Sequence, residues 1–246
     1  MCSSFKETST NLCDAIAGVA KRICTQTVSL SGLTALLACR LVPLNKNPGV
    51  RPIGVWEVAR RIVCKAAIRV VRKDIMLAAG PLQACSGFGS GCEAAVHATR
   101  EVFDESEVEG ALLVDATNAF NTLNRKVALQ NLRYVCPALE TVLTNCYQSS
   151  IRMLVSGGGE ILSKEVTTQG DPLGMAMFAL AIFPLIMKLM EVCQTVYQVW
   201  FADDATAAAS REQLKQWWDA LSTFGPHFDY SPDATKTLLV AKDEHE

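Results

Sequence analysis

The stretch Val196-Tyr197-Gln198-Val199-Trp200-Phe201-Ala202-Asp203-Asp204-Ala205-Thr206-Ala207-Ala208-Ala209 sets two adjacent acids inside an otherwise uncharged run. Apolar residues flank the pair on both sides, so the segment reads as two strands around a tight turn at Asp203-Asp204. Carboxylates embedded in apolar surroundings cost free energy unless something neutralises them. A turn aimed at a divalent cation meets that requirement. A solvated Asp-Asp turn is the plainer alternative.

A third acid ends a comparable run upstream. Ala111-Leu112-Leu113-Val114 is a short apolar strand that stops at Asp115, the place where a sheet-based metal site puts a ligand. With this strand beside the Asp203 hairpin, carboxylates from separate strands can bracket two ions about 3.5–4 Å apart. Oxygen-only ligation favours Mg2+ or Mn2+ over zinc.

Around these strands the pattern is mixed. A short amphipathic helix is expected over 11–24, then an apolar segment over 33–44 and a turn at Asn45-Lys46-Asn47-Pro48-Gly49. Arg51-Pro52-Ile53-Gly54-Val55 reads as a short strand whose proline marks an edge or a strand start. Over 57–76, Val58, Ile62, Ala66 and Val70 recur at helical spacing among Arg60, Arg61, Lys65, Arg69, Arg72 and Lys73, which predicts a basic helix. A glycine-rich loop over 86–91 precedes a helix over 92–103, and the acidic run 104–109 reads as a solvated loop. A helix over 125–149 bends near Pro137. Strands over 151–155 and 160–168 flank Gly157-Gly158-Gly159 as a hairpin. A buried helix over 172–193, a helix over 211–224 and a last strand over 236–242 complete an α+β order without internal repeats.

Half of the 246 residues are apolar, enough for a substantial core. The net charge of −2 hides an asymmetry: residues 1–100 carry 13 Lys or Arg against 5 Asp or Glu, and residues 101–246 carry 10 against 20. A basic half suits phosphates and an acidic half suits metal ions. The ten cysteines, among them Cys2, Cys13, Cys24, Cys39 and Cys64, are too irregularly spaced for a disulfide framework. Cys85 and Cys92 form no C-x-x-C pair, and no histidine cluster completes a zinc site. Reduced thiols in a nuclear or cytoplasmic protein are expected. No signal peptide is read at the start. The apolar stretch over 174–187 is shorter than the roughly 20 residues a bilayer needs and contains Pro184, so a core helix is expected and no membrane partner.

The ordered set Val114-Asp115-Ala116-Thr117-Asn118-Ala119-Phe120, Thr168-Gln169-Gly170-Asp171-Pro172-Leu173 and Phe201-Ala202-Asp203-Asp204 resembles palm motifs A, B and C of reverse transcriptases. The likeness is greatest to those of non-LTR and related eukaryotic retroelements, which often carry Phe-Ala-Asp-Asp. Arg51-Pro52-Ile53-Gly54-Val55 resembles the finger motif whose arginine contacts the incoming triphosphate. Phe224-Gly225-Pro226-His227 followed by Ser231-Pro232-Asp233-Ala234-Thr235-Lys236-Thr237 resembles motif D with its lysine. The resemblance runs over about residues 33–242. Any one motif is weak; five in the family's order are specific.

The resemblance implies an RNA-directed DNA polymerase, a nucleotidyltransferase that extends a primer 3′ end on an RNA or DNA template with deoxynucleoside triphosphates. It implies an α+β right-hand fold of finger and palm subdomains with an antiparallel palm sheet packed on helices; the ten residues after Lys236 leave no room for the family's thumb, which is expected to be absent. The division expected is an extension over 1–32 and a polymerase domain over 33–246, fingers mainly 33–110 and palm mainly 111–246. Asp115, Asp203 and Asp204 would be catalytic and, with the Ala116 carbonyl, would hold two Mg2+ or Mn2+ ions. Phe120 would exclude a ribose 2′-hydroxyl, and Gln169 and Gly170 would lie beside the nascent base pair. Lys46, Arg51 and Lys236 would bind the triphosphate. The cations of the 57–76 helix, with Arg51, would form the basic surface for primer–template. Two other readings stand beside this one. An RNA-directed RNA polymerase shares the palm, although its usual mark is a glycine where Ala202 stands. A non-catalytic nucleic-acid-binding remnant of a mobile element would keep the fold without the reaction.

Overall fold

The computed structural model describes residues 6–47, 49–165 and 167–242; Cys2, Pro48 and Val166 lie outside the described residues. Helices α1 (Lys6–Thr25) and α2 (Leu30–Leu37) lead into a hairpin of β1 (Cys39–Asn45) and β2 (Val50–Trp56). Their antiparallel register runs from Cys39 opposite Trp56 to Asn45 opposite Val50. At its tip the Lys46 N–H donates to the Gly49 carbonyl at 3.1 Å.

The basic helix forms as two pieces, α3 (Val58–Val70) and α4 (Arg72–Ala79), divided at Val71. Its facing departs from the apolar periodicity. Val58, Ile62 and Val70 are 65%, 47% and 82% exposed, whereas Arg60, Val63 and Cys64 are buried. The cause is a charge with a partner inside the protein. Arg60 Nη2 donates to Asp171 Oδ2 with both side chains fully buried. The same oxygen accepts from the Tyr147 hydroxyl, and Asp171 Oδ1 accepts from the Leu173 N–H at 2.9 Å. The guanidinium carbon lies 3.9 Å from the Trp56 ring centroid, a close cation–π contact. Arg60 is therefore withdrawn from the phosphate-binding surface expected of it. Arg51, Arg61, Lys65, Arg69, Arg72 and Lys73 remain exposed.

Helix α5 (Gly91–Phe103) precedes β3 (Gly110–Val114), and one turn of helix, α6 (Ala119–Thr122), follows. The bend near Pro137 is a clean break between α7 (Arg125–Val135) and α8 (Pro137–Tyr147). Proline opens α8, where its missing N–H has no intrahelical partner to lose. Strands β4 (Ile151–Val155) and β5 (Glu160–Ser163) form the glycine-tipped hairpin, and β4 pairs parallel with β1. The first sheet is thus ordered β2-β1-β4-β5, with β2 at an edge as Pro52 requires. Strand β5 stops short of the expected 168 because Thr167 and Thr168 leave the sheet and are buried.

Helix α9 (Gly174–Val192) is the one helix among the described residues long and apolar enough to cross a membrane. Its Leu180, Ile182, Leu185 and Leu189 are fully buried within the protein. After it come β6 (Tyr197–Phe201), β7 (Asp204–Ala209), α10 (Arg211–Phe224) and β8 (Leu238–Ala241). The second sheet is ordered β6-β7-β3-β8 and is antiparallel throughout. Leu112 and Val114 of β3 share one core with Ala205, Ala207 and Ala209 of β7, with α9, and with Leu214, Trp217 and Leu221 of α10. The nine described cysteines are free thiols, and Cys39, Cys64, Cys136, Cys146 and Cys193 are buried.

The loop from β5 to α9 is locked onto β2. The Gly54 N–H donates to the Gln169 carbonyl at 2.8 Å, and Gly170 adopts φ 96°. A Cβ on Gly170 would lie 2.6 Å from the Gly54 carbonyl oxygen. Gly170→Ala therefore combines backbone strain with a main-chain clash and is expected to cost about 2–3 kcal/mol. Gly157 has a similar φ of 94° with nothing within 4 Å of the added Cβ, so Gly157→Ala should lose only about 1 kcal/mol. Chemical denaturation of the two variants checks the difference.

Candidate active site

The turn between β6 and β7 is built from Ala202 and Asp203. Ala202 adopts φ 57°, a left-handed conformation that costs a non-glycine residue about 1 kcal/mol. Gln83, fully buried, offsets this from a distant loop. Its Oε1 accepts from the Ala202 N–H at 2.9 Å, and its Nε2 donates to the Ala202 carbonyl at 3.1 Å. The same loop runs along β6 as an added strand: Trp200 N–H donates to the Leu82 carbonyl and Ala84 N–H to the Trp200 carbonyl, each at 2.7 Å. From the other side the Tyr230 hydroxyl donates to the Asp203 carbonyl at 2.8 Å. Beneath the turn, Gln198 Oε1 accepts from the indole N–H groups of Trp200 and Trp217 at 3.2 and 3.3 Å. The carboxylate of Asp203 is thus carried on a turn held from three sides.

Asp115 follows directly on β3. That strand pairs with β7 up to Val114 opposite Ala205, so continuing the register sets Asp115 opposite Asp204. Beyond it the chain pairs with the segment after α10: the Asp233 N–H donates to the Asp115 carbonyl and the Thr117 N–H to the Ser231 carbonyl, both at 2.8 Å. Lys236 is brought back by this pairing. Its Nζ lies 3.3 Å from Asp115 Oδ2 and 2.8 Å from Asp233 Oδ2. Asn118, in the left-handed region, then starts α6, on which the Phe120 ring stacks over Phe178 with centroids 4.5 Å apart.

These pieces enclose a cavity of about 330 Å³. Asp115, Ala116 and Phe120 line it from one wall, Asp203 and Lys236 from the sheet, and Lys46, Arg51 and Gln169 from the first sheet and its loop. Two residues singled out in sequence are not on its lining. Gly170 packs behind Gln169 against Gly54. Asp204 faces a separate hollow of about 700 Å³ between α5 and the second sheet, with Val96, Phe103, Leu113 and Phe201.

Residues 44–245 match the family model for reverse transcriptase (RNA-dependent DNA polymerase). The chain belongs to that family. A search of curated proteins gives no match. The fold of this reverse-transcriptase domain is similar to apo telomerase from Candida tropicalis truncated from its C-terminal domain. That likeness has 14% identity and a TM-score of 0.64, covering 94% of this chain and 54% of that one. It is also similar to telomerase from Candida albicans in complex with a TWJ fragment of telomeric RNA, at 10% identity and a TM-score of 0.65, covering 95% and 46%. The chain spans about half the length of these telomerases, and at such identities the likeness concerns the fold alone.

The charges in the reverse-transcriptase cavity are unbalanced. Burial and the neighbouring Asp115 raise the Asp203 carboxyl above its ordinary pKa, with Arg51 opposing. Burial, Asp203 and Asp115 raise that of Asp204. Hydrogen bonds from Lys236 and Thr235 instead hold Asp233 at about 2. Among the described residues, no three His, Cys, Asp or Glu side chains stand close enough together to enclose an ion. What Asp115, Asp203 and the Ala116 carbonyl offer is hard oxygen donors, which fit Mg2+ or Mn2+ and not a thiophilic metal. Gln83, Tyr230, Asn118 and Asp233 had no role in the sequence reading. Gln83 stands in a loop with no periodicity, and the signal that exposes it is its burial.

The raised carboxyls carry a stability consequence. A folded pKa above the unfolded one contributes stability that is present below the unfolded value, about 3.9 for Asp, and is lost as pH rises through the folded value. At neutral pH, in the absence of metal, Asp203 therefore opposes folding. Asp203→Asn should raise the metal-free melting temperature at pH 7 by roughly 1–3 °C, and the gain should shrink toward pH 4. Thermal melts in chelator across that range test the sign.

Proposed function

We propose that this reverse-transcriptase domain is the polymerase core of a non-LTR or related eukaryotic retroelement, extending a primer on an RNA or DNA template with deoxynucleoside triphosphates. The single observation that carries the reading is the shared cavity. It gathers Asp115 and Asp203 with Lys46 and Arg51 of the first hairpin and with Lys236 beside Asp115, and Phe120 is in its wall. Carboxylates and cations lining one cavity suit a triphosphate taken up with divalent ions. Asp115, Asp203 and the Ala116 carbonyl would hold Mg2+ or Mn2+, with Asp204 adding its charge from the adjoining strand, and the bound metal would supply activation of the primer hydroxyl and charge for the leaving pyrophosphate. Arg51 grips phosphate oxygens through a planar fork, and Lys46 and Lys236 supply point charges. Gln169 and Gly170 hold the floor beside the nascent base pair. The fingers comprise mainly residues 33–110 and the palm 111–246, after an extension over 1–32, and the protein works in the nucleus or cytoplasm.

The exposed cations Arg61, Lys65, Arg69, Arg72 and Lys73 supply the sequence-independent grip on primer–template. Phe120 sets sugar choice: its ring is braced by Phe178 and lines the cavity. Two variants test the assignment by primer extension with Mg2+ or Mn2+. Asp203→Asn should abolish synthesis while circular dichroism stays that of the parent; full activity would remove Asp203 from the chemistry. Phe120→Ala should raise ribonucleotide incorporation relative to deoxynucleotide by roughly tenfold. Equal discrimination in variant and parent would return Phe120 to a packing role.

A further inference from the structure

The cation nearest Asp115 belongs to the protein itself. Lys236, about half exposed, stands between two carboxylates, 3.3 Å from Asp115 Oδ2 and 2.8 Å from Asp233 Oδ2. The second carboxylate is built into place. Asp233 Oδ1 accepts from the Thr235 N–H at 3.1 Å and from its hydroxyl at 2.6 Å, and the Asp233 N–H donates to the Asp115 carbonyl at 2.8 Å. The main chain thus fixes the spacing of the two acids, and the Lys236 side chain is the movable part between them.

We propose that Asp233 is a positioning residue that holds the Lys236 ammonium partly off Asp115, and so sets how readily the Asp115 and Asp203 carboxylates take up a divalent cation. The inference rests on the reading of Asp115 as a metal ligand. An ammonium at hydrogen-bond range and a divalent ion compete for the same carboxylate oxygen. With Asp233 present, the ammonium has a second partner to retreat to when Asp115 takes a metal. It then remains beside the cavity, where it can meet an anionic substrate, and is not driven out into solvent. Without Asp233 it leans on Asp115 alone, and the metal must displace it completely.

The test is Mn2+ binding to the full chain without primer or nucleotide, followed by the paramagnetic resonance signal of free Mn2+. Lys236→Gln removes the competitor and should tighten binding roughly two- to fivefold. Asp233→Asn keeps an acceptor for the Thr235 bonds but loses the charge, and should weaken binding by a similar factor. The double variant should bind as Lys236→Gln does, because Asp233 acts only through Lys236. Unchanged affinity in Lys236→Gln overturns the proposal. So does a weakening by Asp233→Asn that persists in the Lys236→Gln background, since that would be long-range charge alone. Asp115→Asn separates the two levels. If it binds Mn2+ as the parent does, or if the parent binds none, the metal reading itself fails and takes this inference with it. If binding is lost in Asp115→Asn yet ignores Lys236, only the positioning role falls. Melting curves of all four variants confirm that each is folded.

Discussion

The buried pair of Arg60 and Asp171 is the constraint on which the arrangement depends. A guanidinium and a carboxylate taken wholly out of water are tolerated only when paired, and removing one partner leaves a charge that typically costs 3–5 kcal/mol. This pair ties together three parts: α3 through Arg60, α8 through Tyr147, and the loop before α9 through Asp171. Gln169 and Gly170 stand immediately before Asp171, so anchoring that carboxylate also anchors the turn that closes on Gly54 of β2. The strand that carries Arg51 is thereby held to the same loop. A charge pair that does not line the cavity thus fixes the loop whose Gln169 does.

The second sheet depends on small side chains. Strand β7 is central; its inner face is covered along its length, and its outer face is covered at the Ala208 end while Thr206 and Asp204 border the hollow beside α5. Ala205, Ala207 and Ala209 face the main core, and Ala208 packs with Val108 and Ala111 on the other side. Alanine at Ala205, Ala207 and Ala209 lets the main core pack closely on the strand that carries the turn. The aromatic residues sit one strand over: Trp200 contacts both Trp217 and Tyr230, and Tyr230 passes that support to the Asp203 carbonyl.

Much of this was legible in the sequence, and the failures have physical causes. Apolar runs ending in Asp115 and Asp203 announce strands because carboxylates break hydrophobic alternation abruptly, and β3, β6 and β7 lie where those runs predict. The facing of α3 was not legible. Periodicity assumes that charge turns to water, and Arg60 does the reverse because a carboxylate 111 residues away waits for it. Gln83 was invisible for a related reason: a glutamine in an irregular loop looks solvated until its partner, the Ala202 backbone, is known. The pairing of β4 with β1 is equally silent in local pattern, since parallel neighbours far apart in sequence leave no turn signal between them.

The clamp of Gln83 on Ala202 has a consequence for how the molecule comes into being. Donor and acceptor are separated by 119 residues, and the Arg60–Asp171 and Asn145–Ile23 contacts by 111 and 122. Contacts of such long span form only after large loops have closed, an entropic toll met before any reward arrives. The Asp203 turn, strained at Ala202, has no local sequence able to hold it by itself. The cavity's geometry is complete only once the last strands have met a loop more than a hundred residues earlier in the chain.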